Sequence, residues 1–301
     1  MAIGSNREYT ACPLCGQDQG SREFMIKGHT LIECRSCGLL YVRDRMCEDE
    51  LHRFYGEHYF SSPDELNHGY SDYGEMGKDR EKTFSRYLRR ILPFLQGREQ
   101  VLDIGCGYGY FLNAAEGHFR RLAGIDVSRE ALGKVNPAFE IRCGEFHSEL
   151  YPPDFADLVM MSDFVEHLYH PVGFLTEVHK VLRPGGLLCL ITPNCKSLFS
   201  RVSGTRWVSF KLPEHVCYYS PSSISRLLKV TGFYPVLISP CGQYASLEFI
   251  AKRLGQLIFM DGGAHLIPER VRQWSVYVNS GSMMVLARPN GLASRRERKP
   301  R

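Results

Sequence analysis

The sequence predicts an α/β chain: an open, doubly wound, mostly parallel sheet with helices on both faces, preceded by a small four-cysteine zinc ribbon. Three observations carry this expectation. The stretch Val101–Ser128 runs from a short apolar run through a glycine-rich turn into residues of helical composition, then to a second apolar run ending in Asp126. Ala156–Met161 is a near-continuous apolar run, the pattern of a central parallel strand covered on both faces. Cys12-Pro13-Leu14-Cys15-Gly16 and Cys34-Arg35-Ser36-Cys37-Gly38 repeat one cysteine spacing with eighteen residues between the pairs.

In chain order, the cysteine pairs come first. A C-x-x-C pair followed by glycine makes a tight knuckle that turns two sulfurs toward one point, and two knuckles supply the tetrahedral thiolate shell of structural zinc. Cys12, Cys15, Cys34 and Cys37 are therefore the expected ligands, with strands over Glu23–Ile26 and Thr30–Glu33. A closed shell leaves no position for chemistry, and the ribbon is expected to close a separate small core. The competing reading is a redox or coincidental cysteine set. Residues 1–45 hold six basic and five acidic side chains, and four thiolates around zinc add about two negative charges, which makes a poor phosphate binder.

Residues 46–80 are rich in tyrosine, histidine and glycine and read as a linker or cap. Lys82–Leu92 has apolar residues at helical spacing and is expected to cover the sheet. Val101–Ile104 is the first strand of the α/β body; Gly105, Gly107 and Gly109 form the turn, Tyr110–Glu116 the helix and Leu122–Ile125 the second strand. Glycines let the backbone approach a ligand, the following helix offers unpaired N–H groups, and an acid closing the second strand can accept hydrogen bonds from ribose hydroxyls. Asp126 lies 23 residues after Asp103, the spacing of one βαβ unit. A dinucleotide fingerprint puts its third glycine where Tyr110 stands, so the turn favours a nucleoside ligand without a pyrophosphate. Ser128 is placed to cap a helix over residues 128–135, Phe139–Arg142 is a third strand, Phe174–Val181 a helix and Leu187–Thr192 a fifth strand. A helix starts after Ser220-Pro221, strands follow over Tyr234–Ile238 and Val276–Arg288, and Leu247–Met260 reads as an apolar-faced helix.

Taken together, Leu102-Asp103-Ile104-Gly105-Cys106-Gly107-Tyr108-Gly109, then Asp126, then Asp157-Leu158-Val159-Met160-Met161-Ser162, then Val181-Leu182-Arg183-Pro184-Gly185-Gly186 resemble the ordered motifs of class I S-adenosylmethionine-dependent methyltransferases. The likeness spans roughly residues 80–195. It implies a seven-stranded Rossmann-like methyltransferase fold with S-adenosyl-L-methionine as cofactor. By that resemblance the cofactor lies on Asp103, Gly105, Gly107, Gly109, Asp126 and Val127, with Ser162 at the end of a strand. Glu145 and Phe146 occupy the place that edges the adenine, and Tyr59 or Tyr73 of the cap the place that reaches the methionine end. A solvated acid at Glu145, and aromatic packing at the tyrosines, are the plainer readings.

Glu166-His167 in its setting before Pro171 resembles the group containing ubiquinone-biosynthesis O-methyltransferases. Some members hold a divalent cation with an acid three residues earlier, here Asp163. The alternative is that Glu166 caps or pairs and His167 packs beneath the cofactor loop. Asp163 and His167 are also candidate proton acceptors, but the leading one is His215, in Lys211-Leu212-Pro213-Glu214-His215-Val216, within an acceptor-side insertion over residues 196–222. It is expected to titrate near an unperturbed pKa of about 6.5, in competition with a role in tying its loop to the body.

Composition sets the remaining bounds. At 301 residues with 44% hydrophobic and 23% charged residues, the chain accommodates a methyltransferase domain over 81–290 plus the ribbon. The formal charge of +4 is matched by residues 294–301 alone, in a basic tail over 291–301 expected to be disordered, so the body is near neutral. No apolar run approaches the roughly 18 residues of a membrane span, no signal-peptide pattern opens the chain, and eleven cysteines read as reduced thiols, so a cytoplasmic location is expected. The expected acceptor is a small molecule, glycan or lipid, not nucleic acid. An RNA-modifying methyltransferase would need a basic face, and an NAD(P)-dependent oxidoreductase the third glycine.

Overall fold

The computed structural model describes residues 7–47, 50, 77–251 and 268–290. Five short strands come first: β1 (Arg7–Tyr9), β2 (Gly20–Ile26), β3 (His29–Cys34), β4 (Leu40–Val42) and β5 (Asp44–Met46). They are followed by α1 (Gly77–Ile91), β6 (Gln100–Ile104), α2 (Tyr110–Ala115), β7 (Arg121–Asp126), α3 (Arg129–Leu132) and β8 (Glu140–Cys143). Next are β9 (Ala156–Ser162), α4 (Pro171–Val181), β10 (Leu182–Pro193), α5 (Leu198–Ser203) and β11 (Cys217–Tyr218). The last elements are α6 (Pro221–Val230), β12 (Phe233–Ser246), α7 (Glu269–Arg272) and β13 (Ser275–Pro289).

The main sheet has seven strands in the order β12-β13-β10-β9-β6-β7-β8. β6 to β10 run parallel, and β13 is antiparallel to both β10 and β12. The chain proceeds from β6 through β7 to one edge, then returns to β9 and moves to the other edge. The order thus reverses between β6 and β9, and open sheets of this type hold ligands in the crevice beyond the carboxyl ends at such a switch point. All of β6 is buried, as is β9 up to Met161, so neither strand alternates polar and apolar residues. α1 buries Phe84, Tyr87, Leu88 and Ile91 at helical spacing, starting a turn earlier than the sequence pattern indicated. Ser128 caps α3 as expected, its hydroxyl accepting from the Ala131 N–H, but the helix stops at Leu132. β10 begins at Leu182, its register with β9 shifting across Arg183-Pro184-Gly185-Gly186, and β12 runs on to Ser246. The expected helix over Leu247–Met260 lies largely outside the described residues. Among the described residues no helix is long and apolar enough to cross a membrane.

The ribbon is not the separate core that its sequence suggested. β11, from far along the chain, joins its sheet to give the order β11-β4-β3-β2. Cys12, Leu14, Ile32, Cys34, Leu39 and Tyr41 belong to one buried cluster with Leu102, Ile104, Val159 and Met161 of the main sheet. Size gives the reason: about 40 residues bury too little apolar surface to stand alone, and an apolar face left on a short sheet is stabilised by packing against the larger body.

Candidate active site

The glycine turn forms where β6 runs out. Gly105 takes φ +77°, in the left-handed region that favours glycine, and a Cβ there would overlap the Phe164 ring. The N–H groups of Gly105 and Cys106 both donate to the Ile125 carbonyl, at 2.8 and 3.2 Å, binding the turn to the end of β7. Asp126 latches it: one carboxylate oxygen accepts from the Gly107 N–H at 2.9 Å and the other from the Ser128 N–H at 2.9 Å. Burial raises the Asp126 pKa above the ordinary carboxylate value, while the backbone N–H groups oppose that shift. Asp103, fully buried in β6, is held well above the usual range by burial and by the neighbouring charge of Asp126. Val127 is 52% exposed, Ser162 closes β9, and Glu145 is exposed with His147 3.9 Å from its carboxylate. Phe146 is buried, its ring against Tyr151 and Phe174, a placement that suits core packing better than an open platform. Tyr59 and Tyr73 lie outside the described residues.

A second polar cluster forms beyond β9. Asp163 takes φ +50°, a conformation asparagine and aspartate enter more readily than other non-glycine residues, and its carboxylate stands 3.9 Å from Arg80. Glu166 is 1% exposed; one oxygen accepts from the Thr192 hydroxyl at 2.9 Å and the other has no partner. Burial and then the charge of Asp163 push its pKa up to about 8. His167 and His215 meet edge to face at 4.6 Å, and burial pushes His167 down to about 3. His215 Nδ1 lies 3.0 Å from the Ser209 carbonyl, which can only accept, so this nitrogen carries the proton and Nε2 keeps its lone pair. That Nε2 is buried without a hydrogen-bond partner. Burial, His167 and Lys211 hold the ring well below its ordinary pKa, which replaces the expected value near 6.5. The imidazole is neutral at physiological pH but is a weaker base than an exposed one.

Ligand atoms of Glu166, His167 and His215 all lie within 4.8 Å of one another. The fold thus groups the Glu-His pair with His215, 48 residues away in sequence, rather than with Asp163. Thr192, which orients Glu166, carries no motif. Its only sequence signal is a hydroxyl ending the apolar run Leu187–Ile191.

The four ribbon cysteines also converge. Cys12 Sγ is 3.4 Å from Cys37 Sγ and Cys15 Sγ 3.5 Å from Cys34 Sγ, and all four lie within 4.8 Å of one another. Zn–S bonds of 2.3 Å at tetrahedral angles separate sulfurs by about 3.8 Å, so the set fits zinc. The paired turns repeat: Gly16 N–H donates to Cys12 O at 2.8 Å and Gly38 N–H to Cys34 O at 2.9 Å.

The sheet order, the glycine turn at the switch point and its Asp126 latch are those of the class I S-adenosylmethionine-dependent methyltransferase fold. The methyltransferase-domain family model matches residues 76–238, more than half of the chain, and the chain belongs to that family. A Mycolicibacterium smegmatis protein named "Probable S-adenosylmethionine-dependent methyltransferase" is 31% identical over 148 residues, covering 48% of this chain and 55% of the relative. A ubiquinone biosynthesis O-methyltransferase of Burkholderia vietnamiensis is 28% identical over 153 residues, covering 46% of this chain and 66% of that protein. The fold is shared with a SAM-dependent methyltransferase of Archaeoglobus fulgidus, at TM-score 0.50 and 21% identity over 71% of this chain and 97% of that one.

Proposed function

We propose that this enzyme moves a methyl group from S-adenosylmethionine to a small-molecule, sugar or lipid acceptor that reaches Glu166, His167 and His215, and that Cys12, Cys15, Cys34 and Cys37 hold a structural zinc. The observation that carries the acceptor reading is the buried His215 Nε2 without a hydrogen-bond partner, in a cluster with Glu166, which also keeps one unpartnered oxygen. Buried polar atoms are normally satisfied, so a bound group is the natural partner. Methyl transfer is an in-line displacement at the sulfonium methyl: the acceptor atom bonds the methyl carbon as the sulfur takes back the bonding pair. The protein aligns donor with acceptor and excludes water. An acceptor hydroxyl loses its proton to His215 Nε2. A relative named a ubiquinone biosynthesis O-methyltransferase supports an oxygen acceptor.

Two expected results test the pieces. Asp126→Ala weakens S-adenosylmethionine binding by about 1.5–3 kcal/mol in calorimetry, because a charged acceptor of ribose hydroxyls and the latch on Gly107 are lost together. In the wild type, affinity falls as pH drops through the raised Asp126 pKa, since the protonated carboxyl accepts less well. Elemental analysis yields one zinc per chain, lost on combined serine substitution of Cys12 and Cys37; a zinc-free preparation that keeps its fold removes the ribbon assignment. Equilibrium dialysis against S-adenosylmethionine, NAD and RNA in parallel shows binding of the first alone. Labelled cofactor incubated with metabolite extracts then identifies the acceptor by its methyl mass shift.

A second reading is favoured by the same cluster. Two imidazoles, each with a backbone partner, and one carboxylate oriented by Thr192 form a donor set that suits a divalent cation. Two metals per chain in the same elemental analysis would select it.

A further inference from the structure

The segment that carries His215 is folded on the ribbon. Between Arg206 and Ser220 its only regular element is β11, where Cys217 pairs with Tyr41 and Tyr218 with Leu40 of β4. Val216, next to His215, is held from two sides. Its N–H donates to the Glu166 carbonyl at 3.0 Å, and its own carbonyl accepts from the Val42 N–H at 2.9 Å. One residue therefore ties the ribbon to the loop bearing Glu166 and His167. Side chains repeat the connection: Trp207, Phe210, Leu212 and Tyr218 share a buried cluster with Ile26, Leu31 and Val42 of the ribbon. Lys27 Nζ reaches the Phe210 carbonyl at 3.2 Å, and Arg45 the Tyr169 carbonyl at 3.1 Å. A segment with almost no hydrogen-bond ladder of its own takes its order from the surface it packs on. The cofactor turn, in contrast, is fastened to Ile125 and Asp126 of the main sheet.

We propose that the ribbon is the positioning element of the acceptor end. Its sheet fixes Val216, and Val216 sets the His215 imidazole against Glu166 and His167. Val42 is a positioning residue in this scheme, acting through Val216. Opening the ribbon frees residues 207–219 and disables the acceptor end while the cofactor end keeps its affinity. This inference rests on the reading of His215 as an acceptor-side group.

The test uses the 301-residue chain in four forms: wild type, wild type stripped of metal by a chelator, Val42→Pro, and Val42→Ile. Val42→Pro removes the N–H that reaches Val216 and leaves all four cysteines in place, and Val42→Ile restores that N–H. Amide exchange of residues 207–219 is expected to accelerate at least about tenfold in the stripped protein and in Val42→Pro. S-adenosylmethionine affinity by calorimetry stays within about twofold of wild type, a change of about 0.4 kcal/mol or less. Methyl transfer falls at least about tenfold in both, and Val42→Ile matches wild type. Unchanged exchange over 207–219 in Val42→Pro overturns the proposal. So does a fall in cofactor affinity parallel to the exchange, which would mean that the ribbon supports the whole body. Should the wild type fail to bind S-adenosylmethionine, the catalytic reading fails, while the exchange comparison still decides the coupling of ribbon to segment.

Discussion

Replacing His215 by Gln is expected to lower methyl-transfer turnover by about 10²–10⁴-fold with cofactor affinity nearly kept. The ring is 3% exposed and its Nδ1 is committed to the Ser209 carbonyl, so the side chain presents one fixed lone pair at Nε2. A glutamine amide has no comparable basicity and cannot take a proton as the methyl carbon is attacked. It also loses the bond to Ser209, at a cost of about 1 kcal/mol of stability, so the melting temperature shifts by only a few degrees. His215→Asn separates these contributions, because its amide can keep a donor near Ser209 while offering nothing at the Nε2 position. Both variants should lose turnover, and only Gln should lose the Ser209 contact. If activity instead falls only in proportion to stability, the proton acceptor is to be sought at Asp163 or His167.

Gly105→Val is expected to remove measurable S-adenosylmethionine binding, a loss of at least about 100-fold, equivalent to about 2.7 kcal/mol. Two independent penalties meet there. At φ +77° a β-branched residue costs of order 1–3 kcal/mol, and its side chain would overlap the Phe164 ring. The turn can relieve both only by moving, which breaks the bonds of Gly105 and Cys106 to Ile125 and withdraws backbone that faces the crevice. Gly105→Ala should fall between wild type and valine. Circular dichroism serves as the control: β6 is buried along its whole length and should keep its pairing with β7 and β9. Unchanged calorimetric affinity in both Gly105→Val and Asp126→Ala would place the nucleotide site elsewhere.

Some elements were legible because their physics is local. The turn at Gly105–Gly109, the acid at Asp126 and the cysteine knuckles each depend on spacing within a few residues, and the structure builds each of them from those residues. The apolar runs of β6 and β9 announced a two-sided sheet because burial on both faces leaves no alternation. Boundaries were less legible. β12 and β13 extend each other by pairing over registers from Phe233↔Pro289 to Ser246↔Ser275, and the length of a paired strand depends on its partner more than on its own composition.

Local spacing specified the glycine turn with its latching acid and the four-cysteine set, because in each the interacting groups lie close along the chain or repeat a fixed spacing, and the resemblance of the ordered motifs implied the methyltransferase class. Long-range packing brings His215 to Glu166 and His167 in place of Asp163, and buries its ring with a depressed pKa. It alone decided that the ribbon shares the body's core and takes β11 as its fourth strand. These contacts join residues 48 and more than 170 positions apart, as His167 with His215 and Tyr41 with Cys217. At such separations neither periodicity nor spacing constrains who meets whom. The outcome is set by which apolar faces remain uncovered once the local elements have formed, and by which buried polar groups must then find partners.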